Sequence, residues 1–127
     1  METTVSISAK ELAKNLHGFT GTSQYYRHRL PGCGELLLTD GCDYLRENAA
    51  GGSYWLFDLI LSWQMKLRSQ RFQVWRLEVQ DDDSAEIECS DGNKNFLCSQ
   101  DIPFTDFPLK EVVVWVVDGV AMLPSEY

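Results

Sequence analysis

The segment from Ser53 to Trp63 constrains the fold most, because it holds more apolar bulk in eleven residues than any other part of the chain. As a helix it would be apolar almost all the way round, and such a helix belongs in the interior of a fold. Asp58, Ser62 and Lys66 recur at i, i+4 and i+8 and therefore predict one narrow polar ridge. We expect the rest of the chain to pack around this helix.

The size and composition of the chain predict a single globular domain spanning residues 1–127. A chain of 127 residues is long enough to bury a core without disulfides or metals. Its content of 44% hydrophobic and 24% charged residues is typical of globular proteins. No stretch rich in Pro, Gly or Ser is long enough to form a linker.

The net charge of -8 argues against nucleic acid as a partner, because binding to the phosphate backbone requires clustered Lys and Arg. The simpler interpretation is an acidic surface that keeps the domain soluble. The alternative is a mimic of nucleic acid that binds a basic partner, although the acids are scattered apart from Asp81 to Asp83.

The N-terminal sequence and the cysteines predict a cytoplasmic protein that does not span a membrane. The first residues lack the basic and apolar regions of a signal peptide, and the longest apolar run is shorter than the ~20 residues of a membrane span. Cys33, Cys42, Cys89 and Cys98 show no C-x-x-C spacing, so we expect reduced, buried thiols. A four-residue loop after Asp91 would place Cys89 opposite Cys98, close enough in principle for a disulfide.

Two short helices are predicted before the central one. The capping box from Ser8 to Glu11 starts the first, which stops at Gly18. Thr39 or Asp40 can cap the second, which runs to about Asn48. Ser53 is the expected cap of the central helix.

The second half of the chain changes to the period of two that is typical of half-buried strands. Apolar residues alternate over 75–79 and 85–89, with a turn at 81–84 between them. A second turn at 91–95 leads into a strand over 96–99.

The C-terminal segment contains the strongest hairpin signal of the chain. The turn 118–119 joins the apolar runs 112–117 and 120–123, in a register that pairs Trp115 with Met122. Both faces of this hairpin are apolar, whereas one layer of helices covers only one face of a sheet. The other face needs the remaining helices or a second subunit, and we expect a homodimer that forms through this hairpin. The whole pattern predicts an α+β fold, with N-terminal helices packed on a C-terminal antiparallel sheet of about four or five strands.

Eight segments form a recognisable set, at 19–22, 25–28, 38–41, 54–56 with Asp58, 72–75, 91–93, 104–109 and 123–127. Together they resemble the signature segments of a small bacterial family known only as a domain of unknown function. The resemblance covers nearly the whole chain after the first helix and implies a bacterial, single-domain, cytosolic protein. Cys33 and its neighbouring glycines look like an insertion in the family pattern. The resemblance implies no activity and no catalytic residue.

The motifs for common cofactors and metals are incomplete. The G-x-G at 32–34 lacks a third glycine, and no G-x-x-x-x-G-K-[ST] is present. The segment 91–95 copies the start of a calcium loop but fails at Phe96 and Ile102, where Gly and an acid are needed. His17 and His28 are the only histidines. We therefore expect no cofactor and no metal site, and we expect 91–95 to form a hairpin turn.

Six residues form the candidate binding site: Tyr25, Tyr26, Arg27, His28, Asp40 and Asp58. In a functional interpretation Arg27 would clamp an anion and His28 would act as a base oriented by Asp40. In the structural interpretation Asp40 caps its helix, Arg27 pairs with a surface acid, and the tyrosines belong to the core.

Asp58 requires a separate explanation, because an acid on the most apolar helix must reach solvent or find a partner. It could lie at the floor of a pocket with a raised pKa. We favour a structural tie, in which its carboxylate bonds Ser62, Arg27 or a loop N–H group.

Two classes of function fit these features. The leading hypothesis is a small interaction or regulatory module that binds another protein. The alternative is a small hydrolase or ligand-binding enzyme with a site around Arg27, His28 and Asp40. A concave pocket that gathers these side chains would favour the enzyme, and a flat exposed patch of Trp, Tyr and Val would favour the module.

Overall fold

The computed structural model describes residues 8–127, which form three α-helices and one seven-stranded sheet. The elements in chain order are α1 Ala9–Leu16, β1 Tyr26–Leu30, β2 Gly34–Leu38, α2 Asp40–Asn48, α3 Tyr54–Ser62, β3 Phe72–Val79, β4 Ala85–Ser90, β5 Phe96–Ile102, β6 Glu111–Val117 and β7 Val120–Met122, with 3₁₀ turns at Ala49–Gly51 and Pro124–Glu126. The α+β class and the N-terminal helices are confirmed. The prediction of four or five strands is wrong, because the sheet has seven.

The two strands that the sequence did not predict are β1 and β2, which form a hairpin at one edge of the sheet. In β1 the charged residues Arg27 and Arg29 alternate with His28, so no apolar alternation marks a strand. Strand β2 is held by parallel pairing with β7, where Leu38 lies opposite Ala121. The strand order is β1-β2-β7-β6-β3-β4-β5, so this parallel pair makes the sheet mixed.

One face of the sheet, here called the inner face, packs against the helices and forms the core. Leu56, Phe57 and Ile60 of α3 are at most 1% exposed. Burying a side chain such as Phe57 contributes roughly 2–3 kcal/mol. The inner-face residues that pack with them include Leu36, Leu38, Trp75, Leu77, Ile87, Val114 and Val116.

The central helix is shorter than predicted, because α3 ends at Ser62 with Trp63 as its C-cap. Lys66 lies beyond the helix, with its ammonium 5.1 Å from the centre of the Trp63 ring. The three-residue polar ridge is therefore reduced to Asp58 and Ser62. Ser53 precedes the helix as predicted, but its buried hydroxyl donates to the Leu45 carbonyl oxygen at 2.9 Å and makes no capping bond.

The other predicted helix starts and turns are confirmed. The Ser8 hydroxyl accepts a hydrogen bond from Glu11 N at 3.1 Å, and Thr39 caps α2. The C-terminal hairpin turns at Asp118 and Gly119, whose φ values of 50° and 82° suit a two-residue turn. Its register pairs Trp115 with Met122, as expected.

Candidate functional site

His28 lies on the inner face of β1 and bonds to two helices. Its ring is 3% exposed, with Nε2 2.7 Å from Asp58 Oδ1 on α3 and Nδ1 3.2 Å from Arg46 Nη1 on α2. A guanidinium group can only donate, so Nδ1 accepts from Arg46 and the Nε2–H donates to Asp58. Both ring nitrogens are therefore engaged within the protein. These two hydrogen bonds connect β1 to α2 and α3.

Arg46 is the buried centre of this cluster and was not predicted from the sequence. It is 8% exposed, its Nη2 donates to Asp43 Oδ1 at 2.9 Å, and its Nη1 donates to the Arg27 carbonyl oxygen at 3.3 Å. Its Cζ lies 4.9 Å from the centre of the Tyr54 ring. The buried Nε has no hydrogen-bond partner among the described residues, although Glu47 Oε2 lies 3.3 Å away. The one signal in the sequence was the i, i+3 spacing from Asp43 to Arg46.

Asp40 does not bond to His28, so the structure lacks the contact that the functional interpretation required. Its carboxylate accepts from Ser23 N at 2.8 Å and from Ser23 Oγ at 3.0 Å, and these bonds hold the pKa of Asp40 below its usual value. Burial and the neighbouring Asp40 raise the pKa of the Tyr26 hydroxyl. Because Thr39 is the N-cap, Asp40 ties the loop before β1 to the start of α2 instead of capping the helix.

Arg27 and Tyr25 are exposed, in contrast to the buried His28. Arg27 extends from the opposite face of β1, and its Nε lies 3.8 Å from Glu35 Oε2. The pairing of Arg27 with a surface acid is therefore confirmed. Tyr25 is 57% exposed, so the expectation that it belongs to the core is wrong, while Tyr26 is half-buried. Of the six candidate residues, all of which lie in the described part of the chain, His28 and Asp58 are joined by a side-chain hydrogen bond.

The segment 91–95 forms a hairpin turn, as predicted. Asp91 Oδ1 accepts from Asn93 N at 2.8 Å and from Asn95 N at 3.2 Å, so its carboxylate is occupied in fixing the turn. Within residues 8–127, no group of three His, Cys, Asp or Glu side chains is placed to hold a metal ion. No helix in the same part of the chain has the length and apolar character needed to cross a membrane.

Cys89 and Cys98 lie opposite each other on β4 and β5, as predicted. The four-residue loop on which this prediction rested is wrong, because Ser90 pairs with Phe96 and a β-bulge next to Cys89 produces the register of the two cysteines. Both are buried free thiols. Burial and the neighbouring Cys98 raise the pKa of Cys89 to about 12. Cys89 therefore remains protonated at neutral pH and is a poor nucleophile.

The second face of the sheet, here called the open face, carries partly exposed apolar side chains, and no α-helix of residues 8–127 packs on it. Phe72 and Trp115 lie at its centre with ring centroids 5.2 Å apart. Tyr127 packs edge-on against both, at 5.7 Å and 5.4 Å, and is itself 73% exposed. The half-buried side chains of the open face are Leu37, Phe72, Val74, Val113, Trp115, Val117, Val120 and Met122.

The Glu126 carboxylate places Tyr127 on the open face. Its Oε1 accepts from Thr39 Oγ1 at 2.6 Å and from Leu123 N at 3.0 Å, and its Oε2 accepts from Gly41 N at 3.0 Å. The N-terminus of α2 favours a negative charge at this position. No local pattern in the sequence indicates this contact, because Glu126 lies 85 residues from Gly41 along the chain.

The two ends of the open face differ in charge. The β1–β2 end carries Arg27 and Arg29, which share Glu35. Towards the other end Arg76 pairs with Glu111 at 2.9 Å. The exposed acids on that side are Glu78, Glu86, Glu88 and Asp101.

These features define an α+β protein with a tightly bonded buried cluster and an exposed aromatic sheet face. Residues 10–127 match the family DUF6876, which is described as a family of unknown function. The chain belongs to this family, so the resemblance seen in the sequence is confirmed. Comparisons with curated proteins and with solved structures give no match.

Proposed function

We propose that the protein is a small interaction module, that its open face is a binding surface, and that the occupant of this face is a second copy of the chain. The observation that carries the proposal is the aromatic cluster of Phe72, Trp115 and Tyr127 at the centre of a sheet face that no helix of residues 8–127 covers. Exposed apolar patches with central aromatic residues are typical of protein interfaces.

The contacts of the candidate site favour an interaction module over a small hydrolase. A general base needs a free ring nitrogen within reach of its substrate, and both nitrogens of His28 are engaged by Asp58 and Arg46. Arg27 and Asp40 bond to other residues and do not converge on His28. A flat patch with Trp, Tyr and Val is the arrangement expected of a binding module.

The open face is large enough for a stable dimer. Seven strands about 4.8 Å apart and a seven-residue central strand give a face of roughly 29 Å by 24 Å. This corresponds to roughly 700 Å² per copy, close to the about 800 Å² per partner of a standard interface.

The charge distribution favours a second copy over an unrelated partner. One end of the open face is basic at Arg27 and Arg29, and the diagonally opposite end is acidic at Glu86 and Asp101. A two-fold axis that lies in the interface and perpendicular to this diagonal brings each end of one copy onto the other end of its partner. Complementary charges at the rim favour the correct register of two such surfaces.

We also propose a bacterial origin and a cytoplasmic location. The family resemblance supports the bacterial origin, and the free thiols support the cytoplasmic location.

The experiment is a mass measurement by light scattering on wild type and Trp115→Lys. We expect the mass of the wild type to be twice the 14.5 kDa of one chain and the mass of Trp115→Lys to be 14.5 kDa. Dimerisation of the variant would bury the new charge at the centre of the interface without an oppositely charged partner, which is unfavourable. Phe104→Lys is the matched control, since Phe104 is 69% exposed but lies outside the open face, and it should remain dimeric. Circular dichroism checks that each variant is folded. A folded wild type that stays at 14.5 kDa up to high micromolar concentration contradicts the proposal.

A further inference from the structure

Strand β5 is an edge of the sheet. It pairs with β4 on one side through a ladder with one β-bulge, and no strand of residues 8–127 lies on its other side, so a row of its backbone N–H and C=O groups faces outward. Charged side chains, especially Lys, usually blunt such edges. The opposite edge strand β1 carries Arg27 and Arg29, whereas the seven residues of β5 contain no Lys or Arg.

An apolar ledge runs beside β5 on the inner side of the sheet. Trp55, Leu59 and Trp63 recur at i, i+4 and i+8 of α3 and its C-cap, and all three are half-buried. The Trp63 Nε1 donates to Gln100 Oε1 of β5 at 3.1 Å, which fixes the ledge against the strand. Side chains of a strand added to β5 would reach this ledge.

The ledge ends in a cavity of 410 Å³ lined by Trp55, Ile102, Phe104, Thr105 and Asp106. Phe104 is 69% exposed, so an aromatic ring in this wall faces solvent. The cavity and the ledge together form a continuous apolar surface along the free edge of β5. A partly exposed apolar channel next to an unpaired strand is the arrangement that accepts an extended peptide.

The charges around this surface select a basic ligand. Asp101 and Asp106 are exposed on either side of Phe104. The acidic turn 81–83 lies beside them, because Thr105 N donates to the Asp83 carbonyl oxygen at 2.8 Å. The basic side chains of a ligand are expected on the Asp101 side of β5, because Lys66 already places its ammonium 5.1 Å from the centre of the Trp63 ring on the ledge side.

We propose that β5 accepts an extended, basic segment of another protein as an additional strand. The side chains of the segment alternate, because successive residues of a strand point to opposite faces. Apolar side chains contact the ledge of Trp55, Leu59 and Trp63, and basic side chains on the other face lie opposite Asp101. The ledge and the cavity lie away from the aromatic cluster of the open face, but this site shares Asp101 with the rim of the proposed dimer. The monomeric variant Trp115→Lys therefore tests the two proposals separately.

The test begins with selection from a displayed library of random heptapeptides on the full chain. We expect the enriched peptides to alternate Lys or Arg with apolar residues. The affinity of one synthetic enriched peptide is then measured by calorimetry. Phe104→Ala and Asp101→Lys should each weaken its binding about tenfold, as loss of an important contact does. The matched controls are Tyr25→Ala, an equally exposed aromatic residue beside the far edge strand, and Glu11→Lys on α1, and both should bind as the wild type does.

Hydrogen exchange locates the peptide independently of the substitutions. Backbone amides within 96–102 should exchange at least about tenfold more slowly with the peptide bound, because new ladder hydrogen bonds protect them. The monomeric Trp115→Lys variant should bind the peptide with unchanged affinity, so failure of the dimer leaves this proposal intact. Enriched peptides without basic residues, equal losses in the control variants, or protection on the open face instead of β5 would each overturn it.

Discussion

At the scale of single residues, the pair of His28 and Asp58 is the most informative contact in the molecule. Both residues stood out in the sequence, and a structural tie for Asp58 was the favoured interpretation. The partner was not foreseeable, because the two residues lie 30 positions apart and meet only when β1 packs on α3. Tertiary packing therefore decided the role of two residues whose importance the sequence already indicated.

Replacing Asp58 by alanine should lower the free energy of unfolding by about 1–2 kcal/mol, since the buried Nε2–H of His28 loses its acceptor. This loss in the free energy of unfolding is small for a hydrogen bond to a carboxylate, because the Asp58 side chain is 43% exposed and solvent screens its charge. Urea unfolding without any ligand measures the change. Ser62→Ala on the same helix is the control, because the Ser62 hydroxyl bonds only to its own helix at Leu59 O. Equal stability of Asp58→Ala and wild type contradicts the structural role.

At the scale of elements, the strands that are joined by short turns with characteristic turn residues were predictable from the sequence. The turn at Asp118 and Gly119 and the turn at 91–95 both gave correct hairpins, because the residues that fix them are adjacent in the chain. The hairpin of β1 and β2 was not predicted, because Arg27 and Arg29 face solvent at the edge of the sheet and β1 therefore lacks apolar alternation. Strands that depend on neighbours from distant parts of the chain leave a weak local pattern.

Gly119→Ala should destabilise the C-terminal hairpin by about 1 kcal/mol, because an alanine is strained in the left-handed region at φ 82°. Gly21→Ala is a matched control: a Cβ at either glycine meets nothing within 4 Å, but Gly21 does not have a positive φ. We expect Gly21→Ala to be neutral or slightly stabilising. Thermal unfolding of the two variants compares them directly. Equal melting temperatures would show that backbone strain at Gly119 contributes nothing.

At the scale of the whole molecule, the sheet separates the hydrophobic core and the helices on one side from an exposed surface on the other. The inner face holds the core, and the open face carries the aromatic cluster that the Glu126 carboxylate helps to position. The proposed dimer uses the open face, and the proposed peptide site uses the β5 edge. The two surfaces have Asp101 in common and otherwise use different residues.

The proposed dimer should respond to salt in a way that reflects the net charge of -8 on each copy. The Debye length falls from about 30 Å at 0.01 M to about 8 Å at 0.15 M ionic strength, so added salt screens the repulsion between the two copies. We expect dimer affinity to rise severalfold over this range, as measured by sedimentation at several concentrations. Trp115→Lys should stay monomeric throughout. A steady fall in affinity would show that the charged rim dominates instead of the apolar centre.

The sequence alone determined the features that depend on a few neighbouring residues. These are the Ser8 and Thr39 caps, the register of the C-terminal hairpin, the hairpin that places the thiols of Cys89 and Cys98 on adjacent strands, and the apolar central helix. Only the tertiary structure decided which distant groups meet. The parallel pairing of β2 with β7, the bonds of Arg46 to His28, and the contact of Glu126 with α2 each join separate elements. Local propensity and turn chemistry act over a few residues, whereas such contacts form only once the whole chain has packed around α3.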